Sequence, residues 1–173
     1  MQLILDIENT VIDSLFSCRF MEDNCRKIAE FIKKYDPLFV HLFTWGWKTG
    51  SEADIAIADR IYDRLGVDGF NRGLLYTKND SVNYAISRGW LHEEDREEVL
   101  NPGMMAAYGL GKINLVVEQF ENNDLSKYEG GEYVIIDDLV SEKEHNTRPY
   151  HNILLLNPFK ELIIKKESKH ADT

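Results

Sequence analysis

Cysteine, surplus positive charge and long apolar runs are all scarce in this chain, and each scarcity removes a class of protein. Only Cys18 and Cys25 occur among the 173 residues. A disulfide scaffold does not fit that size and count, so the pair reads as reduced, half-buried thiols. No apolar stretch approaches the roughly 20 residues of a membrane-spanning helix. The chain runs straight into a strand with no basic leader, so a soluble, cytoplasmic protein is expected. Lys and Arg total 20 against 30 Asp and Glu, a formal net charge of −10. Strong non-specific binding to nucleic acid, or to an anionic membrane, needs a basic footprint and is not expected. No internal repeat, low-complexity tract or linker divides the chain. Its length suits one domain with a full core.

What is present is an alternation of strand and helix patterns. Short apolar runs predict strands over 2–7, 38–44, 72–77, 133–136 and 152–156. Helical spacing predicts helices over 21–34, with Ile28, Phe31 and Ile32 on one face, and over 52–65, capped by Ser51 and stopped by Gly66. Asp80 is read as the cap of a helix reaching residue 88, residues 92–99 as a charged helical face broken by Pro102-Gly103, and 112–121 as a further helix. The alternation argues for a parallel sheet with helices on both faces. The domain is placed at 1–158, with 79–111 as a small helical insertion and 159–173 as a polar, frayed tail.

Two of these strands end in acids. Leu3-Ile4-Leu5 runs into Asp6, Glu8 and Thr10, and Tyr133-Val134-Ile135-Ile136 runs into Asp137 and Asp138. Ligands of open α/β sheets bind at that C-terminal strand edge. Oxygen-rich ligands delivered by two strands suit a hard cation such as Mg²⁺. Like charges converging on one point would also disfavour one another without a cation.

The four elements Asp6-Ile7-Glu8-Asn9-Thr10, Val40-His41-Leu42-Phe43-Thr44, Lys112 in GLGKINLVVEQF, and Val134-Ile135-Ile136-Asp137-Asp138 stand in order along the chain. In that order and spacing the chain resembles the haloacid dehalogenase (HAD) superfamily, over roughly residues 1–158, and most of all its small phosphatases and nucleotidases without a large cap. The resemblance implies a three-layer, Rossmann-like α/β fold with strand order 5-4-1-2-3. It also implies a Mg²⁺-dependent phosphohydrolase working through an aspartyl-phosphate.

Residue by residue, the resemblance makes Asp6 the nucleophile and Glu8 the general acid and base. Thr44 becomes a phosphoryl contact through its hydroxyl and backbone N–H, and Lys112 the cation that neutralises the phosphoryl group. Asp6, Asp137 and Asp138 become the metal carboxylates, joined by Glu8 through its backbone carbonyl. Lys78 rivals Lys112, and spacing alone does not choose between them. Glu8 departs from the family, which carries Asp there, one methylene shorter. Trp45 and Trp47 follow Thr44 at once; the two indoles either plug the core or stack on a nucleobase or another flat group, with Trp45 taken as a substrate contact. His41 is read as a packed residue. The expected substrate is a phosphorylated small molecule or nucleotide. The alternative is a catalytically weakened HAD-fold binding or regulatory protein, engaging a macromolecular partner through 79–111.

Overall fold

The computed structural model describes residues 1–101, 104–108, 133–138 and 153–164. Five strands form one parallel sheet: β1 (Gln2–Asp6), β2 (Phe39–Phe43), β3 (Arg72–Tyr76), β4 (Tyr133–Ile136) and β5 (Ile153–Leu156). The order is β3-β2-β1-β4-β5 counted from the β3 edge. The order 5-4-1-2-3 expected from sequence is written from the opposite edge and has the same neighbours. Helices α1 (Glu22–Tyr35) and α2 (Glu52–Leu65) follow β1 and β2. Helices α3 (Lys78–Ser87), α4 (Arg96–Val99) and α5 (Met104–Ala107) follow β3. The helix expected over 112–121 lies outside the described residues. Among the described residues, no helix is long and apolar enough to cross a membrane.

The side-chain period of two divides the sheet's apolar residues between its faces. Leu3, Leu5, Val40, Leu42, Val134 and Ile136 pack with Cys25, Ile28 and Phe31 of α1 and with Ala58, Ile61, Tyr62 and Leu65 of α2. Burying a side chain such as Ile28 contributes about 1.5–3 kcal/mol. Ile4, Phe43, Tyr76, Tyr133 and Ile135 form a separate cluster that Trp45 and Leu155 join.

Local signals agree with this packing. Acids open α1 and lysines close it, as the helix dipole favours. At α2, the Ser51 hydroxyl accepts from the Asp54 N–H while Asp54 accepts from the Ser51 N–H, and Gly66 ends the helix at φ 70°. Both cysteines are free thiols; burial pushes Cys25 up to about 11.

Two boundaries move from their sequence positions. Helix α3 starts at Lys78, directly after β3, with Thr77 as its cap residue. Asp80 sits inside the first turn, where its carboxylate accepts from the N–H and hydroxyl of Thr77. The chain beyond β5, expected to fray from 159, stays on the body through Ile164. Leu162 is buried in the main core, the Ile164 N–H donates to the Tyr35 hydroxyl, and Lys27 reaches the Pro158 carbonyl.

His41 is buried at an irregular step between β2 and β3, where Val40 faces Arg72 but Leu42 faces Leu75. The extra residue frees a backbone donor, and His41 Nδ1 accepts it from Leu74 N–H at 3.0 Å. Its Nε2 then donates to Gln2 Oε1 at 2.7 Å. Gly73 permits this approach, since a Cβ there would lie 2.3 Å from Nδ1.

Burial holds the imidazole neutral, down to about 4 from its ordinary 6.5. The fold therefore binds the neutral ring, so its contribution is complete above pH 6.5 and fades as pH falls towards 4. The loss amounts to about 3 kcal/mol. Urea midpoints followed across that window should fall more steeply in the parent than in His41→Asn. Parallel curves would show that His41 does not carry the effect.

Candidate metal and phosphoryl site

The register of the sheet builds the site. Leu5 lies opposite Ile136, so the next residues, Asp6 and Asp137, leave adjacent strands side by side. Asp6 also lies opposite Phe43, which brings Thr44 to the same edge. Asp6 and Asp137 are buried and Asp138 is half-buried. One carboxylate oxygen from each lies within 4.8 Å of the other two. Three oxygens so placed fit a small hard cation, whose carboxylate ligands must converge on one point. The Glu8 side chain does not belong to this trio; the metal role implied for Glu8 was a backbone one.

A tight turn aims the first carboxylate. The Ile7 carbonyl accepts from the N–H groups of Val11 at 2.9 Å and Ile12 at 3.1 Å, and Asn9 takes the left-handed conformation at φ 56°. Asn tolerates that region better than most residues. The turn swings Thr10 back, so that its hydroxyl donates to Asp6 Oδ2 at 3.1 Å. Asn24 of α1 donates to the Thr10 carbonyl and anchors the turn to the helix layer.

Glu8 points to the end of β2. The Thr44 hydroxyl donates to Glu8 Oε1 at 2.6 Å and accepts from the Gly46 N–H at 3.0 Å. The backbone N–H of Thr44 goes to the Tyr76 carbonyl at 3.0 Å, extending the β2–β3 ladder. This corrects the expectation that Thr44 offers both hydroxyl and N–H to a phosphoryl group. The N–H is already used by the sheet, and the hydroxyl is held by Glu8.

Gly46 is the residue that sequence reasoning missed. A Cβ there would lie 2.0 Å from Glu8 Oε1 and 2.3 Å from Leu15 Cδ1. The extra methylene of Glu8 is thus housed in space that only glycine leaves open. The signal was visible as a glycine between two indoles just past a strand end, but its partner is the distant Glu8, which the bond from Thr44 holds in place.

The remaining candidates take structural places. Trp47 is buried in the main core. Trp45 lies tilted against Phe43, at 6.1 Å between ring centroids, and its indole N–H donates to Ser81 of α3 at 3.2 Å. The Trp47 and Lys48 carbonyls accept the N–H groups of Lys78 and Asn79. Trp45 therefore joins the sheet to the helical region. That region has its own cluster of Val82, Ala85, Leu91, Val99 and Met105.

Lys78 is buried, and its ammonium donates to the Leu100 carbonyl at 3.0 Å and the Asn101 carbonyl at 2.7 Å. Burial, with the charge of Lys48 nearby, lowers its affinity for a proton. It fastens the end of α4 to the end of β3 through two of its three donors. Lys112 lies outside the described residues.

A cleft of about 450 Å³ lies instead at the opposite, N-terminal edge of the sheet, lined by Pro37, Val40, Leu65 and Val67 among others. None of the strand-end acids reaches it. Compared with known proteins, the chain matches no family model, no curated protein and no solved structure, so its function is read from this arrangement alone.

Proposed function

We propose that the chain is a Mg²⁺-dependent, HAD-like phosphohydrolase of the cytoplasm, acting on a phosphomonoester such as a nucleotide. The observation that carries the reading is the convergence of Asp6, Asp137 and Asp138 at the strand edge, beside Glu8. Mg²⁺ held by these carboxylates, with the Glu8 backbone carbonyl, would neutralise charge on the phosphoryl oxygens. Asp6 attacks phosphorus and the bond to the leaving oxygen breaks, while Glu8 gives that oxygen its proton. Glu8 then takes a proton from water, which attacks the aspartyl-phosphate, releases phosphate and restores Asp6. Lys112 is the proposed cation for the phosphoryl group.

The test has two arms. Phosphate release from aryl phosphates and a nucleotide panel should require Mg²⁺. Thermal melts should show Mg²⁺ stabilising the parent, by about 2.7 kcal/mol at a hundredfold excess over Kd. Asp137→Asn/Asp138→Asn should abolish that shift. An unchanged Mg²⁺ shift in the double variant would remove the metal site.

One observation favours a second reading. The Thr44 hydroxyl and N–H are both engaged within the protein. A scaffold whose phosphoryl contact stays closed would act as a binding or regulatory module, with the helical region after β3 as its partner surface. A parent inert on every phosphoester, with Mg²⁺ binding intact, would place this reading ahead.

A further inference from the structure

Asp6 is the last residue of β1, and its strand does not fix where its carboxylate points. Carboxylate oxygens of Asp137 and Asp138 lie within 4.8 Å of its own, and without a cation they push it away. The Thr10 hydroxyl, 3.1 Å from Oδ2, restrains it. That restraint is only as good as the placement of Thr10. A threonine side chain is stiff at its first torsion, so the hydroxyl goes where the backbone of residue 10 takes it. The turn holds that backbone loosely. The Thr10 N–H meets the Ile7 carbonyl at 3.4 Å, longer than a well-formed N–H···O bond, whereas Val11 and Ile12 reach the same carbonyl at 2.9 and 3.1 Å. The Thr10 carbonyl is gripped from outside the turn, by Asn24 Nδ2 at 3.1 Å.

Asn24 is an unexpected residue for its place. It lies in the first turn of α1 and is buried. Asparagine is a poor helix former, and burying its amide costs free energy unless the amide is bonded. The neighbouring buried positions of α1, Cys25 and Ile28, belong to the apolar core. The start of α1 is also pinned to the turn without Asn24. The Met21 N–H donates to the Val11 carbonyl at 2.9 Å, and the Cys25 thiol to the same carbonyl at 3.4 Å. What Asn24 adds is a hold on Thr10, the residue whose hydroxyl touches Asp6.

We propose that Asn24 is a positioning residue for Asp6: its amide fixes the backbone at residue 10, and the Thr10 hydroxyl passes that placement to the carboxylate that binds Mg²⁺ and attacks phosphorus. This rests on the roles proposed for Asp6 above. The relay runs over two buried hydrogen bonds, each of 3.1 Å. Removing a group that orients a metal ligand costs about 10–100-fold in metal affinity or activity. Asn24 stands one step further back than Thr10, so its effect belongs at the lower end of that range.

Calorimetric titration of the full chain with Mg²⁺ tests the relay without relying on turnover, at a temperature where melts show each variant folded. Thr10→Val should weaken binding about 10–100-fold, and Asn24→Ala about tenfold. Asn24→Leu, which fills the space but lacks the amide, should match Asn24→Ala. The double variant Thr10→Val/Asn24→Ala should bind no more weakly than Thr10→Val alone, because without the hydroxyl the amide has nothing to transmit. A merely structural Asn24 would lower the melting temperature and leave the affinity unchanged, or its loss would multiply in full with that of Thr10→Val. Either result overturns the relay. Phosphate release in the same preparations separates this inference from the reading beneath it. An active parent whose Mg²⁺ affinity ignores Asn24 keeps hydrolysis and loses the relay. An inert parent whose affinity follows Asn24 does the reverse. A parent that binds no Mg²⁺ overturns both.

Discussion

Asp6→Asn should stop phosphate release, by on the order of 10⁴-fold or more, while the protein still folds. The substitution keeps the shape of the side chain, and an amide oxygen can still accept the Thr10 hydroxyl now bonded to Asp6 Oδ2. What it removes is a nucleophile and one of three converging charges. Circular dichroism and melting temperature should therefore stay near those of the parent as the rate collapses. In the parent, beryllium fluoride with Mg²⁺ should bind at Asp6 as a mimic of the acyl-phosphate, and Asp6→Asn should not bind it. Full activity in the Asn variant would end nucleophilic catalysis by Asp6.

Gly46→Ala should have an effect nearly as large, without touching an ionisable group. The new methyl would meet Glu8 Oε1 at 2.0 Å, so the carboxylate must move and give up its 2.6 Å bond from Thr44. A displacement of about 1 Å at a reacting group can cost roughly 10²-fold in rate. The same geometry sets the order of the Glu8 variants. Glu8→Asp draws the carboxylate back by one methylene, away from Thr44, and should slow the reaction. Glu8→Gln keeps the length but cannot transfer the proton, and should slow it further. A Glu8→Asp protein faster than its parent would mean that the site is not built around Glu. A Glu8→Gln protein as active as its parent would remove the acid/base role.

Much of the scaffold is legible in the sequence because its causes are local. The apolar run 3–5, the Ser51 cap and the Gly66 stop each act within a few residues, and the elements they define stand where expected. The acids at the ends of β1 and β4 were legible for the same reason: parallel pairing brings strand ends together. Features that depend on distant partners were not. Nothing near Lys78 announces that its ammonium will close on the carbonyls of Leu100 and Asn101. Nothing near His41 announces that a bulge in β3 will present it with the Leu74 N–H. Thr44 reads as a hydroxyl at a strand end, and its commitment to Glu8 appears only once β1 and β2 lie in register. The docking of residues 159–164 was not legible, because Leu162-Ile163-Ile164 is too short a run to show which core it would join.

The contact between Glu8 and Gly46 also restricts how this chain can change. A carboxylate one methylene shorter would withdraw from the space over residue 46, and a methyl there could then be accommodated once the mobile end of Leu15 swings aside. Taken in the other order, the methyl arrives first and strikes a side chain that is still bonded to Thr44. The two positions therefore form a ratchet in sequence space. A lineage carrying Glu at position 8 keeps glycine at 46 for as long as the site is in use, and drift at 46 becomes open only after 8 has shortened.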